Sequence, residues 1–411
     1  MQTNSKKRWA ILALLVMSPF MATLDSSIIN VALPVMADSF GVSSGTIAWV
    51  VSSYLIVISA TILLLGRLGD IVGHIRVLQW GMLFFTVGSF LCGLSRSFEL
   101  LVAFRIVQAL GAAGMMSTNQ GIITRIFSDQ ERGRALGINA AFVALGTLLG
   151  PAVGGFILSV ASWKYIFLVN VPVGVAALIV GHFIYPKMEN ATKGRLDVAG
   201  AALFALSVTA LFIALGQIQS LGFTHPLILV CLVLFIVSFV LFVVVQNRSR
   251  SPLIQLTIFK NRWFSVSIFC AFTSYLAISC SNIVLPFYLQ DCLRYGPAQA
   301  GMFMMVYPLV VALAAPVSGY LADKTSAEVL TLMGLLLTAA GLFFLSTLDA
   351  QPRAMQIVMY TAIMALGNGM FQSPNNTIVM ASVPRTQVGV GGSVNALVRN
   401  LGYTLGVAVA T

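Results

Sequence analysis

The sequence predicts an all-α integral membrane protein, and its composition, its long apolar segments and the placement of its basic residues support this. Hydrophobic residues make up 58% of the 411-residue chain and charged residues only 9%, whereas soluble domains carry roughly 25% charged residues. A globular core could not hide this much apolar surface from water. The bilayer must therefore solvate most of the chain.

Apolar segments long enough to cross a membrane recur along the whole chain. Thirteen such segments of about 20 residues lie near 9–34, 46–66, 78–96, 98–120, 136–158, 166–186, 197–217, 226–246, 264–289, 298–321, 328–348, 354–377 and 387–411. With the N-terminus in the cytoplasm, most Lys and Arg residues fall in connections on the cytoplasmic side, as the positive-inside rule requires. The prediction is a multi-pass protein of the cytoplasmic (inner) membrane.

Several other classes of protein fit the sequence poorly. The net charge of +11 does not indicate nucleic acid, because the basic residues lie in short loops where they set topology and face anionic lipid. The first apolar run, from Trp9 to Val35, is too long for a cleaved signal peptide. The five cysteines form no Cys-x-x-Cys motif and the three histidines have no ligand spacing, so no metal, cofactor or enzyme activity is predicted.

An internal repeat divides the chain. Gly66–Asp70 ends the second segment and Gly319–Asp323 ends the tenth, and both fit the pattern Gly-x-Leu-small-Asp. Transporters are often built from repeated halves. We therefore predict a six-helix bundle over residues 1–190, an inserted hairpin of helices 7 and 8 over 191–250, and a second bundle over 251–411. In this register the second six-helix bundle is incomplete and helix 14 is missing.

Two residues of opposite charge lie at membrane depth in the first half of the chain. Asp25 is in the first segment and Arg105 is in the fourth, and helix rise puts both in the outer half of the bilayer, within reach of each other. An intramembrane carboxylate is costly and usually faces a partner or a wet cavity. Desolvation favours its protonated form, which predicts a proton-coupling pair. A packing hydrogen bond or a static ion pair is the alternative.

The fifth segment carries a helix-packing pattern. Gly146, Gly150 and Gly154 share one face, and Pro151 and Gly155 lie beside it. Small residues let helices approach closely, and proline can kink a helix. We expect a hinge-like contact with the tenth segment, where Ala312, Pro316 and Gly319 form a matching face. Ordinary small-residue packing is the alternative.

Polar and aromatic residues at membrane depth predict a substrate cavity, although each also suits helix packing. The candidates are Asn30, Tyr54, Gln108, Phe142, Asn282, Tyr307, Asn368, Gln372, Asn375, Asn395 and Arg399.

Five motifs in order resemble the major facilitator superfamily, and within it the fourteen-helix drug:proton antiporters. They are LDSSIINVALP (24–34), GRLGDIVGHIR (66–76), LVAFRIVQALGAA (101–113), GTLLGPAVGG (146–155) and WKYIFLVNVPVG (163–174). The second motif resembles the loop 2–3 gate signature, so the resemblance implies a gate role for Gly66, Asp70, Gly73 and Arg76. His74 and Ile75 depart from the basic cluster usual there.

The resemblance implies the major facilitator fold and proton-coupled efflux of small amphipathic or drug-like molecules by alternating access. Its partners would be the substrate, protons and the lipid bilayer. An accessory periplasmic adaptor is a further candidate partner, and otherwise a monomer is expected. Export of a specific metabolite, antibiotic or siderophore is an alternative. A non-transporting or inactive truncated membrane protein is another.

Overall fold

A computed structural model describes residues 5–186, 196–249, 251–295, 297–349 and 352–410, and in these ranges the chain is helical without β-strands. The predicted domain boundary near residue 190 lies outside the described residues. Helices suit a lipid environment because they satisfy every backbone N–H and C=O group within the segment.

The first half of the molecule consists of six membrane helices. Their bounds are Ser5–Phe40 (α1), Trp49–Val72 (α2), His74–Leu94 (α3), Phe98–Ile126 (α4), Arg132–Val160 (α5) and Asn170–Ile184 (α6). Short helices Ser44–Ile47 and Lys164–Leu168 precede α2 and α6.

A hairpin and the second half follow. The hairpin helices are Val198–Leu221 (α7) and Pro226–Arg248 (α8). The second half contains Arg262–Phe287 (α9), Pro297–Lys324 (α10), Ala327–Ser346 (α11), Ala354–Ala381 (α12) and Val388–Ala410 (α13). A π-helical turn, Tyr288–Cys292, extends α9, and short 3₁₀ turns Leu256–Lys260 and Arg385–Gln387 precede α9 and α13.

Each of the thirteen predicted segments overlaps one of these long helices. Twelve spans, formed by α1 to α12, are long and apolar enough to cross a membrane, and in the sixth of them α6 is joined by the short helix before it. Helix α13 is absent from this set, because Asn395, Arg399 and Asn400 interrupt its apolar sequence. It nevertheless packs against α9, α2 and α4 inside the bundle.

Helix ends are determined by local chemistry. The Ser97 and Ser326 side chains accept hydrogen bonds from the first-turn amides of α4 and α11, as expected of N-cap residues. The sharp turn from α2 into α3 occurs at Gly73, whose φ of +106° is a conformation that favours glycine.

Within each half, neighbouring helices pack in a repeated pattern. In the first half α1 packs on α5, α4 on α2 and α3, and α3 on α6. In the second half α9 packs on α13, while α12 packs on α10 and α11. The hairpin helices pack on each other, and α7 also contacts α2 and α13, so the hairpin lies beside the junction of the halves.

Two equivalent contacts join the halves. Helix α5 packs on α10, and α2 packs on α13. Under the predicted register, α2 corresponds to α10 and α5 to α13. The second helix of each half thus contacts the fifth helix of the other half, which is the arrangement expected of a two-fold repeat.

The glycine face of α5 corrects one expectation. A Cβ on Gly146 would lie 2.8 Å from the Phe20 carbonyl oxygen of α1, and one on Gly150 would lie 2.6 Å from Ser27 Cβ, so both would clash with α1. The Ser27 hydroxyl also donates a 3.1 Å hydrogen bond to the Gly146 carbonyl oxygen. This face therefore packs within the first half and makes no hinge between the halves. The physical reason is that the face points to α1, and α10 approaches α5 elsewhere.

The contact with α10 uses earlier glycines of α5. A Cβ on Gly133 would lie 2.5 Å from the Gly319 carbonyl oxygen, and one on Gly137 would lie 2.5 Å from the Ala315 carbonyl oxygen and 3.0 Å from Pro316 Cα. The predicted α10 face is thus used, but its partners are Gly133 and Gly137, about two and a half to three and a half turns before the predicted motif.

Candidate functional site

Asp25 and Arg105 form a fully buried ion pair. Asp25 lies on α1 and Arg105 on α4, and both are 0% exposed. Asp25 Oδ2 and Arg105 Nη1 are 2.6 Å apart. The predicted proximity of the two residues is therefore present, and the pair lies entirely within the first half.

Two amide side chains complete the carboxylate's shell. Gln108 Nε2 donates to Asp25 Oδ1 over 2.8 Å, and Asn170 Nδ2 donates to the same oxygen over 2.9 Å. Gln108 Nε2 also donates to Ser89 Oγ over 2.7 Å. Helices α1, α4 and α6 therefore meet at one carboxylate, and α3 is linked to it through Ser89 and Gln108.

Sequence reasoning missed Asn170 as a site residue. It lies inside the motif WKYIFLVNVPVG (163–174), for which the resemblance implies no role of the asparagine. The signal was its position: Asn170 begins α6 after the short helix Lys164–Leu168, and at 2% exposure a buried amide needs a partner.

Arg105 has further contacts that do not depend on Asp25. Its Nε donates to the Val50 carbonyl oxygen over 3.1 Å, and its Nη1 donates to Gln108 Oε1 over 2.7 Å. Its Cζ lies 4.0 Å from the centroid of the Tyr54 ring, a cation–π distance. The guanidinium group is therefore fixed between α2 and α4 whatever the state of Asp25.

Asp70 caps a helix of the other half. This residue, at the end of α2, is 0% exposed, and its carboxylate accepts from the Gly389 and Val390 amides over 3.1 and 3.3 Å. These amides begin α13. A carboxylate at a helix N-terminus satisfies unpaired donors and interacts favourably with the helix dipole.

Asp323 makes the equivalent contact in the opposite direction. It ends α10 in the second copy of the repeat, and its carboxylate accepts from the Gly133 and Arg134 amides over 2.6 and 2.8 Å. These amides begin α5. The two aspartates of the repeat thus join the halves at one end of the bundle, which we call the Asp70 face.

The surroundings of Asp70 differ from the expectation for the gate motif. Arg76 is exposed and donates to the Val72 carbonyl oxygen, so it does not contact Asp70. His74 Nε2 lies 3.1 Å from Asp70 Oδ1, and Arg125 Nη2 lies 3.7 Å from it. The Arg76 side chain lies on the exposed side of α3. The arginine beside Asp70 is therefore Arg125 of α4.

Further hydrogen bonds between polar side chains join the helices next to the two aspartate caps. Asn395 Nδ2 on α13 donates to Gln120 Oε1 on α4 over 3.1 Å and to Asn376 Oδ1 on α12 over 2.6 Å. The Ser373 hydroxyl on α12 donates to the Gly133 carbonyl oxygen over 3.0 Å. The halves are therefore closed against each other at the Asp70 face.

A second polar cluster lies within the second half. Tyr307 donates to Asn368 Oδ1 over 3.1 Å, and Gln372 Nε2 donates to the Tyr275 hydroxyl oxygen over 2.7 Å. The Tyr275 and Tyr403 rings are 5.4 Å apart. The Arg399 guanidinium lies beside Tyr275 and near Tyr403. Four predicted cavity residues are thus brought together here: Tyr307, Asn368, Gln372 and Arg399.

Other predicted cavity residues belong elsewhere. Phe142 packs edge-on against Phe20 of α1, with ring centroids 6.2 Å apart. Asn375 is buried on α12. Asn30 is exposed on α1 and Asn282 is half-buried on α9, and no described hydrogen bond joins either to the clusters above.

A groove in the described part of the chain lies away from these clusters. A groove of about 300 Å³ between α3 and α6 is lined by Gln79, Trp80, Leu83, Leu178 and His182, and it contains none of the predicted cavity residues. Across the described ranges, no group of three His, Cys, Asp or Glu side chains is arranged to hold a metal ion.

Comparison with known proteins gives consistent relatives. A profile of the Major Facilitator Superfamily matches residues 15–407. The riboflavin transporter RibZ of Clostridioides difficile is 36% identical over 98% of this chain and 87% of its own length. The uncharacterized transporter YebQ of Escherichia coli is 35% identical over 98% of this chain and 88% of its own length. The multidrug resistance protein Stp of Mycobacterium tuberculosis is 31% identical over 95% of this chain and 73% of its own length.

Solved structures share the fold at low sequence identity. The proton:xylose symporter XylE superposes with a TM-score of 0.72 at 14% identity, covering 98% of this chain and 88% of XylE. The human organic anion transporter MFSD10 gives a TM-score of 0.71 at 14% identity, covering 99% and 93%. At this identity the likeness concerns the fold alone.

Proposed function

This chain belongs to the Major Facilitator Superfamily, and from that premise we propose that it exports small amphipathic molecules across the cytoplasmic membrane in exchange for protons. Membership makes it a multi-pass membrane transporter rather than an enzyme. Proton coupling, the direction of transport and the orientation of the chain are parts of the proposal.

The observation that carries the proposal is the buried Asp25 carboxylate. A carboxylate in a low-dielectric interior persists only while a counter-charge and hydrogen-bond donors compensate its desolvation. Arg105, Gln108 and Asn170 supply these compensations here. If a conformational change moved α1 relative to α4 and α6, Asp25 would lose them and take up a proton.

Arg105 is suited to stay in place while Asp25 gains and loses a proton. When Asp25 is protonated, the guanidinium keeps the Val50 carbonyl, Gln108 and the Tyr54 ring, so it is not left buried without partners. The cycle therefore needs only Asp25 to change its partners. Binding and release of one proton would then be coupled to rearrangement of α1.

The two aspartate caps support alternating access. They close the Asp70 face, where α1 begins, and basic residues are most frequent on this side of the membrane, so we place it in the cytoplasm. This conformation would then be the one that faces outward. Opening it requires both caps to break, since Asp70 and Asp323 each bridge the halves.

The fourteen-helix drug:proton antiporter branch is the subgroup we favour. The inserted α7–α8 hairpin lies between the two halves, and multidrug resistance proteins such as Stp are among the relatives. The accessory adaptor and the monomeric state stay predictions.

Export of one specific metabolite is a second candidate, and the likeness to RibZ favours it. RibZ is named a riboflavin transporter and is 36% identical to this chain. The test is uptake of riboflavin and of unrelated dyes into inverted vesicles. Saturable transport of riboflavin without transport of the dyes would favour this candidate.

The decisive test of coupling compares Asp25→Asn with Asp38→Asn in proteoliposomes. Both changes neutralise an acid of α1, but Asp38 is exposed whereas Asp25 is fully buried. We expect Asp25→Asn to abolish substrate accumulation driven by a pH gradient and Asp38→Asn to retain it. Accumulation by Asp25→Asn at the wild-type level would show that Asp25 is not the coupling group.

A further inference from the structure

Arg399 is a cation at membrane depth without a described acidic partner. It lies eleven residues into α13, roughly 16 Å from the start of the helix, and is half-buried. Among the described side chains, no carboxylate lies within ion-pair distance of it. An arginine at this depth is costly unless it meets an opposite charge or a water-filled cavity.

The neighbours of Arg399 on α13 show which way it points. Asn395 and Tyr403 lie four residues before and after it, and residues at this spacing share a helix face. Asn395 contacts α4 and α12 in the closed junction, and Tyr403 packs on Tyr275 of α9. Arg399 therefore lies one turn above the closed junction, on the face turned toward the centre of the molecule.

The charges inside the membrane do not balance. Away from the helix ends, the described spans contain Asp25, Arg105 and Arg399. Asp25 and Arg105 neutralise each other at 2.6 Å, so Arg399 leaves one uncompensated positive charge. A substrate that carries a negative charge would neutralise it, whereas a cationic substrate would be repelled.

Two tyrosines lie beside this charge, and further aromatic and amide side chains adjoin them. Tyr275, Tyr307 and Tyr403 lie close to one another, and their rings come from α9, α10 and α13. Asn368 and Gln372 of α12 bond to Tyr307 and Tyr275. Such rings offer a surface on which a flat conjugated ring can stack.

We propose that the substrates are small organic anions with a flat aromatic ring system, whose negative group pairs with Arg399 while the ring packs against Tyr275, Tyr307 and Tyr403. The inference rests on the proposed transport function and names its substrate class. It also assigns Arg399 as the residue that selects the sign of the substrate's charge.

The first arm of the test compares two dyes that share the xanthene ring. Fluorescein is an anion at pH 7.5 and rhodamine 123 is a cation. Binding of each to the purified chain in nanodiscs is measured by fluorescence anisotropy, with empty nanodiscs subtracted. We expect fluorescein to bind at least tenfold tighter than rhodamine 123. Equal or tighter binding of rhodamine 123 overturns the proposal, and this arm does not depend on any variant folding.

The second arm compares substitutions of Arg399. We expect Arg399→Gln to raise the Kd for fluorescein at least tenfold, about 1.4 kcal/mol, and to leave rhodamine 123 binding equal or tighter. Arg399→Lys keeps the charge and should stay within about threefold of the wild type on the same scale. Arg96→Gln removes an exposed arginine and serves as the matched control. An unchanged Kd in Arg399→Gln overturns the proposal.

Failure of this inference can be distinguished from failure of the proposed function. The binding arms need no ion gradient, whereas the Asp25→Asn test measures coupling only. Charge-selective binding that depends on Arg399 supports the inference even if a pH gradient drives no transport. Gradient-driven transport combined with fluorescein binding that ignores Arg399 overturns the inference and leaves the proposed function in place.

Discussion

Asp25 lies inside the membrane in a shell of side chains that take the place of water. Arg105 supplies the opposite charge, and Gln108 and Asn170 supply neutral donors at 2.8 and 2.9 Å. Removing one member of such a buried pair typically costs about 3–5 kcal/mol, because the other charge is left without a partner. The residues of this shell therefore act as one unit.

Tyr54 tests how Arg105 is held. Its ring centroid is 4.0 Å from Arg105 Cζ, and a desolvated cation–π contact is worth about 2 kcal/mol. We expect Tyr54→Leu to lower the midpoint of thermal unfolding of the purified protein, because the guanidinium loses this contact. Tyr54→Phe retains the ring and is the matched control, so it should unfold near the wild-type temperature. Equal unfolding temperatures for the two variants would contradict a role for the ring.

At the scale of the helix, α5 uses two sets of small residues for two different neighbours. Gly133 and Gly137 lie against α10 of the other half, whereas Gly146, Gly150 and Gly154 lie against α1 of the same half. The helix can therefore slide or tilt against α10 during transport while it stays attached to α1.

Gly150 and Gly155 provide a matched pair on α5. A Cβ at Gly150 would lie 3.0 Å from the Ile28 amide nitrogen, whereas one at Gly155 would meet nothing within 4 Å. We expect Gly150→Ala to destabilise the protein by about 1–3 kcal/mol through overpacking against α1. Gly155→Ala should be neutral or slightly stabilising, because alanine is the better helix former. Thermal unfolding of the purified variants is the measurement, and a stable Gly150→Ala protein would argue against the tight α1–α5 contact.

At the scale of the whole molecule, the repeated aspartates make closure of the Asp70 face nearly symmetric. Each caps a helix of the opposite half, but Asp70 is fully buried with His74 and Arg125 beside it, whereas Asp323 is half-buried. A hydrogen bond to a charged group contributes about 1.5–3 kcal/mol, and burial reduces screening by water and salt. The Asp70 cap should therefore dominate the closed state.

This asymmetry can be measured in the conformational equilibrium. Spin labels at Ser128→Cys and Thr325→Cys, both on exposed loop residues at the Asp70 face, report the separation of the halves in a background without the native cysteines. We expect Asp70→Asn to increase the population with longer label distances, because an amide lacks the charge that caps α13. Asp323→Asn should shift it less, and a larger shift in Asp323→Asn would reverse our ranking.

Charge movement is a further property of the whole molecule. If one proton enters for each anion exported, each cycle moves at least two positive charges inward. Two charges are worth about 4.6 kcal/mol at 100 mV. We therefore expect an inside-positive potential, imposed with potassium and valinomycin, to drive fluorescein into proteoliposomes without a pH gradient. Empty liposomes are the control. Uptake that is indifferent to the potential would indicate electroneutral exchange instead.

The sequence by itself determined the membrane class, the thirteen helices, the internal repeat and the residues Asp25, Arg105 and Arg399. These features are local: apolar length, charge placement and motif spacing are properties of continuous segments, and the cost of charge in lipid makes each intramembrane ion conspicuous. The proximity of Asp25 and Arg105 could also be predicted, because helix rise gives depth in the membrane.

Only the tertiary structure decided how the helices turn toward one another. The position of a residue along its helix gives its depth in the membrane but does not show which neighbouring helix it faces. For that reason the glycine face of α5 is predicted to meet α10 but packs on α1, and Asn170 has no predicted role although it donates to Asp25. Arg76 has a predicted gate role with Asp70, yet His74 and Arg125 are the residues beside that carboxylate. Helix rotation is set by packing between segments distant in sequence, and that information exists only when the whole bundle is assembled.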